Sequence, residues 1–424
     1  MPHRAPAPGQ LFGQFFGHFF GLIYTLLWCL AGPLAFFSPR MRQGWKERLG
    51  IGKPAPCEIW IQGASAGECA LVASLLEHLP GVPVLVTTCT SQGLDVLNRI
   101  DSPGLQARML PFDLPLLMGR MLDTARPKAV MLLETEIWPG LLMACAARGV
   151  PVIVVNARMT AKSLAGYLFL GPLLRLWAPQ RIGAMAPADA LRFGLIFGAQ
   201  KTTVTGNIKF DRAMNTPLLP LDENPLAGLV PRDHPFVVLG SVREQEEPLV
   251  LELIRHLGEA NPQCVIGLFP RHMHRIPAWE GLLARSGMPF ALRSALRGPA
   301  QPGSVVLWDV FGEMNPAYAL ASRAFVGGSL ARLGGQNFLE PLTQGVLPCV
   351  GPHTRNFDWV GGEVFASLVF KSASVPELAR FLLSPAPPRS EVREAALTYV
   401  HARQGATAAS IALIRPYLHR SPHA

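Results

Sequence analysis

The 424-residue sequence predicts an α/β protein built from two doubly wound parallel sheets. Short unbroken apolar runs alternate with longer amphipathic ones, the pattern of strands covered on both faces by helices. That rhythm stops once, in a proline-rich stretch from Asn215 to Pro235, and then restarts. The length also exceeds one ordinary core and suits two domains.

The elements follow in chain order. From Ala5 to Pro39 there is no Asp, Glu, Lys or Arg, and Leu11 to Phe37 is rich in Phe, Leu and Trp over about the length of a bilayer span. Arg40, Arg42, Lys46 and Arg48 follow at once, whereas only Arg4 precedes, which places the remainder of the chain on the cytoplasmic side. A cleaved signal peptide fits less well, because the basic n-region and small-residue cleavage site are missing. Gln14, His18 and several glycines dilute the run, so an interfacial helix dipping its phenylalanines into one leaflet stands beside a true span. Residues 1–40 are therefore read as an N-terminal membrane anchor.

Residues 41–214 read as a first α/β domain. Glu58–Gln62, Val82–Thr88, Ala129–Glu134 and Val152–Asn156 are its buried strands, with helices near Glu68–Leu79 and Trp138–Arg148. Residues 215–235 are the linker. Residues 236–424 form the second domain, with strands at Phe236–Gly240, Cys264–Phe269, Val305–Trp308, Ala324–Val326 and Leu347–Val350. Active residues in such sheets belong at the carboxyl ends of the strands.

Composition narrows the function classes. Apolar residues make up 49% and charged residues 16%, which excludes a disordered or fibrous chain. The net charge of +9 suits anionic partners such as a phosphorylated lipid, an acidic sugar or a nucleotide. Nucleic acid is disfavoured, because no stripe of Lys and Arg interleaved with aromatics occurs. The seven cysteines are scattered without a Cys-x-x-Cys pair, against a disulfide framework or structural zinc and for a reducing compartment.

Five segments carry candidate chemistry. The run Ala324-Phe-Val stops at Gly327-Gly328, and Gly334-Gly335 precede a helix start; free backbone N–H groups at such a corner suit a phosphate, and Asn337 and Glu340 lie one turn apart beside it. Ser65-Ala-Gly-Glu68 is a capping box by spacing, yet Glu68 at a helix start also stays ionised and can act as a general base. Glu134 and Glu136 leave one side of a strand end that is otherwise uncharged, where paired acids are costly unless used or hydrogen-bonded; Thr135 or Glu136 as a cap for the next helix is the alternative. Lys209 ends the first domain as either a solvated lysine or the neutraliser of an anion. Arg271 follows a strand and suits a phosphate fork, while His272 and His274 lack a third ligand at any recognisable spacing, so no metal site is expected.

The order of these segments, with Leu110-Pro-Phe-Asp-Leu-Pro115, Asn156-Ala-Arg-Met-Thr160, Thr205-Gly-Asn-Ile-Lys-Phe-Asp211 and Gly351-Pro-His-Thr-Arg-Asn-Phe357, resembles the family of 3-deoxy-D-manno-octulosonic acid (Kdo) transferases of lipopolysaccharide synthesis. The resemblance covers nearly the whole chain. It implies a GT-B fold, two Rossmann-like domains with a cleft between them, and transfer of Kdo from CMP-Kdo to the lipid A precursor (lipid IVA) with inversion. It implies action at the cytoplasmic face of the bacterial inner membrane, beside inner-membrane lipid, without a cofactor or bound metal. Carried over by position, Glu68 is the proton acceptor, and Glu134 and Lys209 stabilise the transition state. Pro270, Arg271, Phe311, Gly312, Glu313, Asn337, Phe338, Leu339 and Glu340 lie in the CMP-binding segments. The chain departs from the family pattern at Gln62 and Gln336, where His is usual, and at Val242-Arg-Glu-Gln-Glu246, where Thr-His-x-Gly-Glu is usual. Two other classes remain open: a GT-B enzyme using another nucleotide sugar on a lipid acceptor, and a catalytically silent nucleotide-binding membrane protein. No spacing encodes an oligomeric state.

Overall fold

The computed structural model describes residues 8–35, 37–214, 217–230 and 233–418. The chain divides into two compact units, Met1–Arg212 with Arg403–Ala424, and Ala213–Ala402.

In the first unit the strands are β1 (Ile59–Gln62), β2 (Val84–Thr88), β3 (Leu105–Met109), β4 (Ala129–Leu133), β5 (Val152–Ala157), β6 (Arg181–Ala184) and β7 (Thr202–Val204). They pair in parallel in the order β3-β2-β1-β4-β5-β6-β7. Successive side chains point to opposite faces. Trp60, Leu85, Val130 and Val154 therefore fill one core, and Ile59, Ile61, Val84, Val86, Met131 and Ile153 the other. Covering both faces is why these strands read as continuous apolar runs. Chain progression reverses between β1 and β4, so the crevice at their carboxyl ends is the topological switch point, where ligands of such sheets bind.

The second unit repeats the plan with β8 (Phe236–Val242), β9 (Val265–Pro270), β10 (Phe290–Leu292), β11 (Val305–Leu307), β12 (Arg323–Val326), β13 (Pro348–Val350) and β14 (Phe370–Lys371). Their order, β10-β11-β9-β8-β12-β13-β14, puts its switch point between β8 and β12. Val237, Leu239, Ile266 and Phe325 face one core, and Phe236, Val238, Val265 and Ala324 the other.

Three sequence expectations change. The second domain does not run to the C-terminus, because helix Ala406–Leu418 returns to the first unit. Its Ala406, Ile411 and Ile414 are buried against Ile59 and Met131, and each buried isoleucine is worth about 2 kcal/mol left in place. The proline-rich segment is no free linker either: Leu226 and Val230 are buried with Trp308 and Tyr318, and Asn224 donates to the Pro316 carbonyl at 2.8 Å. Residues 215, 216, 231 and 232 of that expected linker, and the last six residues of the expected second domain (419–424), lie outside the described residues.

The third change is at the N-terminus. The expected anchor is a helix, Pro8–Ala35, with residues 1–7 and 36 outside the described ones. Among the described residues no helix is long and apolar enough to cross a membrane, which corrects the spanning reading. Gln10, Gln14, His18 and repeated glycines thin the apolar run. Instead the helix packs on the first unit: Phe20 meets the Trp177 ring at 5.8 Å, Trp28 meets Phe112 at 5.7 Å, and the Tyr24 hydroxyl donates to Asp113 Oδ2 at 2.7 Å. Asp113 in turn accepts from the Gly140 and Leu141 amides at 2.9 and 2.8 Å, capping helix Pro139–Arg148 from outside it.

Candidate active site

In the first unit, β1 leads through Gly63 and Ala64 into helix Ala66–Glu77. Ser65 is the N-cap, and the capping box forms in full. Ser65 Oγ accepts from the Glu68 amide at 3.4 Å, and Glu68 Oε2 accepts from the Ala64 and Ser65 amides at 2.5 and 3.3 Å. Ser65 Oγ also donates to Glu68 Oε1 at 3.0 Å. The cap reading is thus correct, but it does not exhaust Glu68, whose carboxylate is only half-buried and faces other acids. Burial, then the charge of Glu134, raises its pKa.

Glu134 leaves the end of β4 at φ 57°, the left-handed region that costs a non-glycine residue of order 1–3 kcal/mol. Such strain collects where a side chain must be aimed. Lys209 Nζ donates to Glu134 Oε1 at 3.0 Å, so the pair read from separate motifs is an ion pair. Lys209 is placed by Asn156 and Asn207: Asn156 Oδ1 accepts from the Ile208 amide at 2.9 Å, and Asn207 Oδ1 from the Lys209 amide at 3.0 Å. Asn156 is itself at φ 53°, a conformation Asn tolerates better than most residues.

Glu136 completes the cluster. Trp138 Nε1 donates to its Oε2 at 2.6 Å. Burial first, then the Glu68 charge, pushes its carboxyl up to about 7. The nearby charge of Glu134 adds to the same rise. Gln62 stands at the floor of the site, fully buried, accepting from Thr87 Oγ1 at 2.5 Å, while Thr87 accepts from Trp60 Nε1 at 2.7 Å. This hydrogen-bonded chain suits a neutral amide.

In the second unit, Arg271, Asn337 and Glu340 come together. Asn337 Nδ2 donates to Glu340 Oε1 at 3.0 Å, and the Arg271 charge partly offsets the rise that burial imposes on the Glu340 carboxyl. Pro270 ends β9 just before Arg271. Phe338 and Leu339 are core, with Phe338 packed on Phe357 at 4.8 Å, so only their backbone is available to a ligand. Glu313 accepts from Arg293 and from Trp308 Nε1, each at 2.8 Å, which fixes the loop carrying exposed Phe311 and positive-φ Gly312.

The glycine corner differs from its sequence reading. The carboxylate of Glu246, fully buried, accepts from the amides of Gly328 at 2.5 Å and of Ser329 and Leu330 at 3.2 Å, and from its own loop at Arg243 at 2.9 Å. An internal carboxylate, not an open cradle, therefore uses the N–H groups offered after β12. Local spacing does not reveal this role of Glu246, because three of its four amide partners lie 82 to 84 residues away. Glu136 is legible as an acid at a strand end, but its elevated pKa follows first from burial, which no local spacing states. Among the described residues no group of three or more His, Cys, Asp or Glu is placed to hold a metal ion.

Residues 43–212 match the family described as 3-deoxy-D-manno-octulosonic-acid transferase. A 3-deoxy-D-manno-octulosonic acid transferase of Bordetella pertussis is 36% identical over 394 residues, covering 88% of this chain and 90% of the relative. The chain belongs to the Kdo transferase family. A second Kdo transferase, from Haemophilus influenzae, is 30% identical over 93% of this chain and 96% of its own. Two solved structures share this chain's fold: a glycosyltransferase from Rickettsia africae, with TM-score 0.52, 11% identity and coverage of 87% and 100%, and MurG from Acinetobacter baumannii, with TM-score 0.51, 15% identity and coverage of 85% and 100%. Two parallel seven-stranded sheets in two units agree with this GT-B architecture.

Proposed function

We propose that the protein transfers Kdo from CMP-Kdo to a hydroxyl of the lipid A precursor, lipid IVA, with inversion at the anomeric carbon. The observation that carries this reading is Glu68, a half-buried carboxylate held by its own capping box at the first unit's switch point, beside the Lys209–Glu134 pair. Glu68 takes the proton from the acceptor hydroxyl as its oxygen attacks the anomeric carbon; the bond to the CMP phosphate breaks, and CMP leaves with that electron pair. A raised pKa brings Glu68 nearer the working pH, which strengthens it as a base. Lys209, paired with Glu134 at 3.0 Å, stands next to the developing oxocarbenium charge, and Arg271 stands for the departing phosphate.

The same reading places the protein at the cytoplasmic face of the inner membrane, held by an interfacial rather than a spanning helix. Leu22, Ile23, Leu26, Leu27 and Leu30 of the N-terminal helix are exposed, as are Phe37, Met41 and Trp45 after it, and such a face supports shallow insertion. The decisive experiment incubates the protein with CMP-Kdo and lipid IVA and weighs the product by mass spectrometry. A gain of one or more Kdo units is expected; no product with this donor and turnover of another nucleotide sugar would overturn the assignment.

A further inference from the structure

Among the described residues of the second unit, Arg243 is a cation whose buried Nε has no partner. β8 is irregular at its carboxyl end: its register with β9 shifts between Leu239 and Val242, and Ser241 sits at φ 56°. Gly240 within that irregularity is pressed against the Tyr318 hydroxyl, where a Cβ would clash. Bulges beside a site re-aim the side chains that follow them. The residue re-aimed here is Arg243. Its backbone amide is held by Glu246 at 2.9 Å, so its Cα is fixed. Its guanidinium takes no part in any hydrogen bond or ion pair of the described residues, and its Nε is buried without a partner.

A buried guanidinium N–H without an acceptor is costly and asks for one. Among the described residues none supplies it: Glu246 is consumed by backbone amides, and Glu244 and Glu247 are both engaged by Arg275, at 2.9 and 2.6 Å. Arg271 begins at the neighbouring strand end, its amide donating to the Val242 carbonyl at 2.7 Å, one residue from Arg243. Burial, then the charges of Arg243, Arg271 and His274, lower the His272 pKa, with Glu244 opposing them. Two guanidinium groups thus flank the carboxyl ends of β8 and β9, next to a glycine corner whose own N–H groups are already occupied.

We propose that Arg243 is a donor-binding residue, which with Arg271 forms a two-guanidinium clamp for the anionic groups of the sugar nucleotide. This rests on the donor assigned above. That donor carries two anions, a phosphate and the carboxylate of an octulosonic acid, and the clamp has two cations. Because the nest after β12 is filled by Glu246, the anion is held by side chains rather than by the glycine amides.

The test compares CMP, cytidine and CMP-Kdo on Arg243→Ala, with Arg243→Gln as a variant that keeps hydrogen-bond donors but not charge, and with exposed Arg255→Ala as a control for general electrostatics. Thermal unfolding verifies that each is folded. If Arg243 holds the phosphate, CMP affinity falls by about 10-fold or more while cytidine affinity is unchanged. If it holds the sugar carboxylate, CMP affinity is unchanged and the KM for CMP-Kdo rises by a similar factor. Either result supports the clamp. It is overturned if folded Arg243→Ala keeps both CMP affinity and KM, if cytidine affinity falls as far as CMP affinity, or if Arg255→Ala does the same damage. Wild-type protein that binds no CMP overturns the donor assignment itself, so the two failures are distinguishable.

Discussion

Glu68→Gln separates the two duties of one side chain. In the capping box, Glu68 Oε2 accepts from two amides, at 2.5 and 3.3 Å, and Oε1 accepts from the Ser65 hydroxyl at 3.0 Å. A glutamine carbonyl can take over the amides, and the Ser65 hydroxyl can rotate to accept from the new NH2 group. The box is therefore retained in neutral form, and stability should change by less than about 1 kcal/mol. The substitution also removes a negative charge beside Glu134 and Glu136, which offsets part of that loss. Proton acceptance is not retained, since an amide is no base at neutral pH. Transfer should fall by about 10²-fold or more, with CMP binding unchanged. Ser65→Ala should do the reverse, costing about 1 kcal/mol with a smaller effect on turnover. Initial rates by mass spectrometry, thermal unfolding and CMP calorimetry on the same preparations decide it. If Glu68→Gln transfers Kdo at near the wild-type rate, Glu68 is only a cap and the base is Glu134 or Glu136.

Three further outcomes follow from the geometry. Glu136→Gln should alter the pH dependence of stability: an acid whose pKa rises to about 7 on folding stabilises the fold below its ordinary value near 4.5 and loses that contribution as pH climbs through 7, so the wild type should lose more stability than the variant between about pH 5 and pH 8. Parallel unfolding curves across that range would refute it. Glu246→Gln leaves one carbonyl for four amides and turns an NH2 group toward N–H donors, so denaturant unfolding should show a loss of about 3 kcal/mol or more in the second unit. Tyr24→Phe removes the hydroxyl that joins the N-terminal helix to Asp113, a bond to a charged group worth about 1.5–3 kcal/mol, and proteolysis within Pro8–Ala35 should quicken while CMP affinity holds. An unchanged cleavage rate would show that the ring contacts alone seat the helix.

Much of this protein is written locally. Each central strand is an apolar run of a few residues, and the two rhythms on either side of Asn215 state two doubly wound sheets before any contact is known. Ser65 and Glu68 are three residues apart, so their capping box is legible too. The edge strands are not: Leu105–Met109 is only partly buried, Thr202–Val204 is largely exposed, and Phe370–Lys371 is two residues long, so burial never imposes a continuous apolar pattern on them. The tertiary structure decides whatever depends on strand order. Lys209 reaches Glu134 across 75 residues because β4 and β5 are neighbours and Asn156 fixes the Lys209 segment at the β5 end. Glu246 fills the glycine corner because β8 lies beside β12. Helix Ala406–Leu418 leaves its sequence neighbours because the first unit's core has an open apolar face that Ile411 and Ile414 cover. A helical or strand period is set by bonds within a few residues. A charge's partner is set by which strands the whole sheet brings side by side, and no window of sequence contains that information.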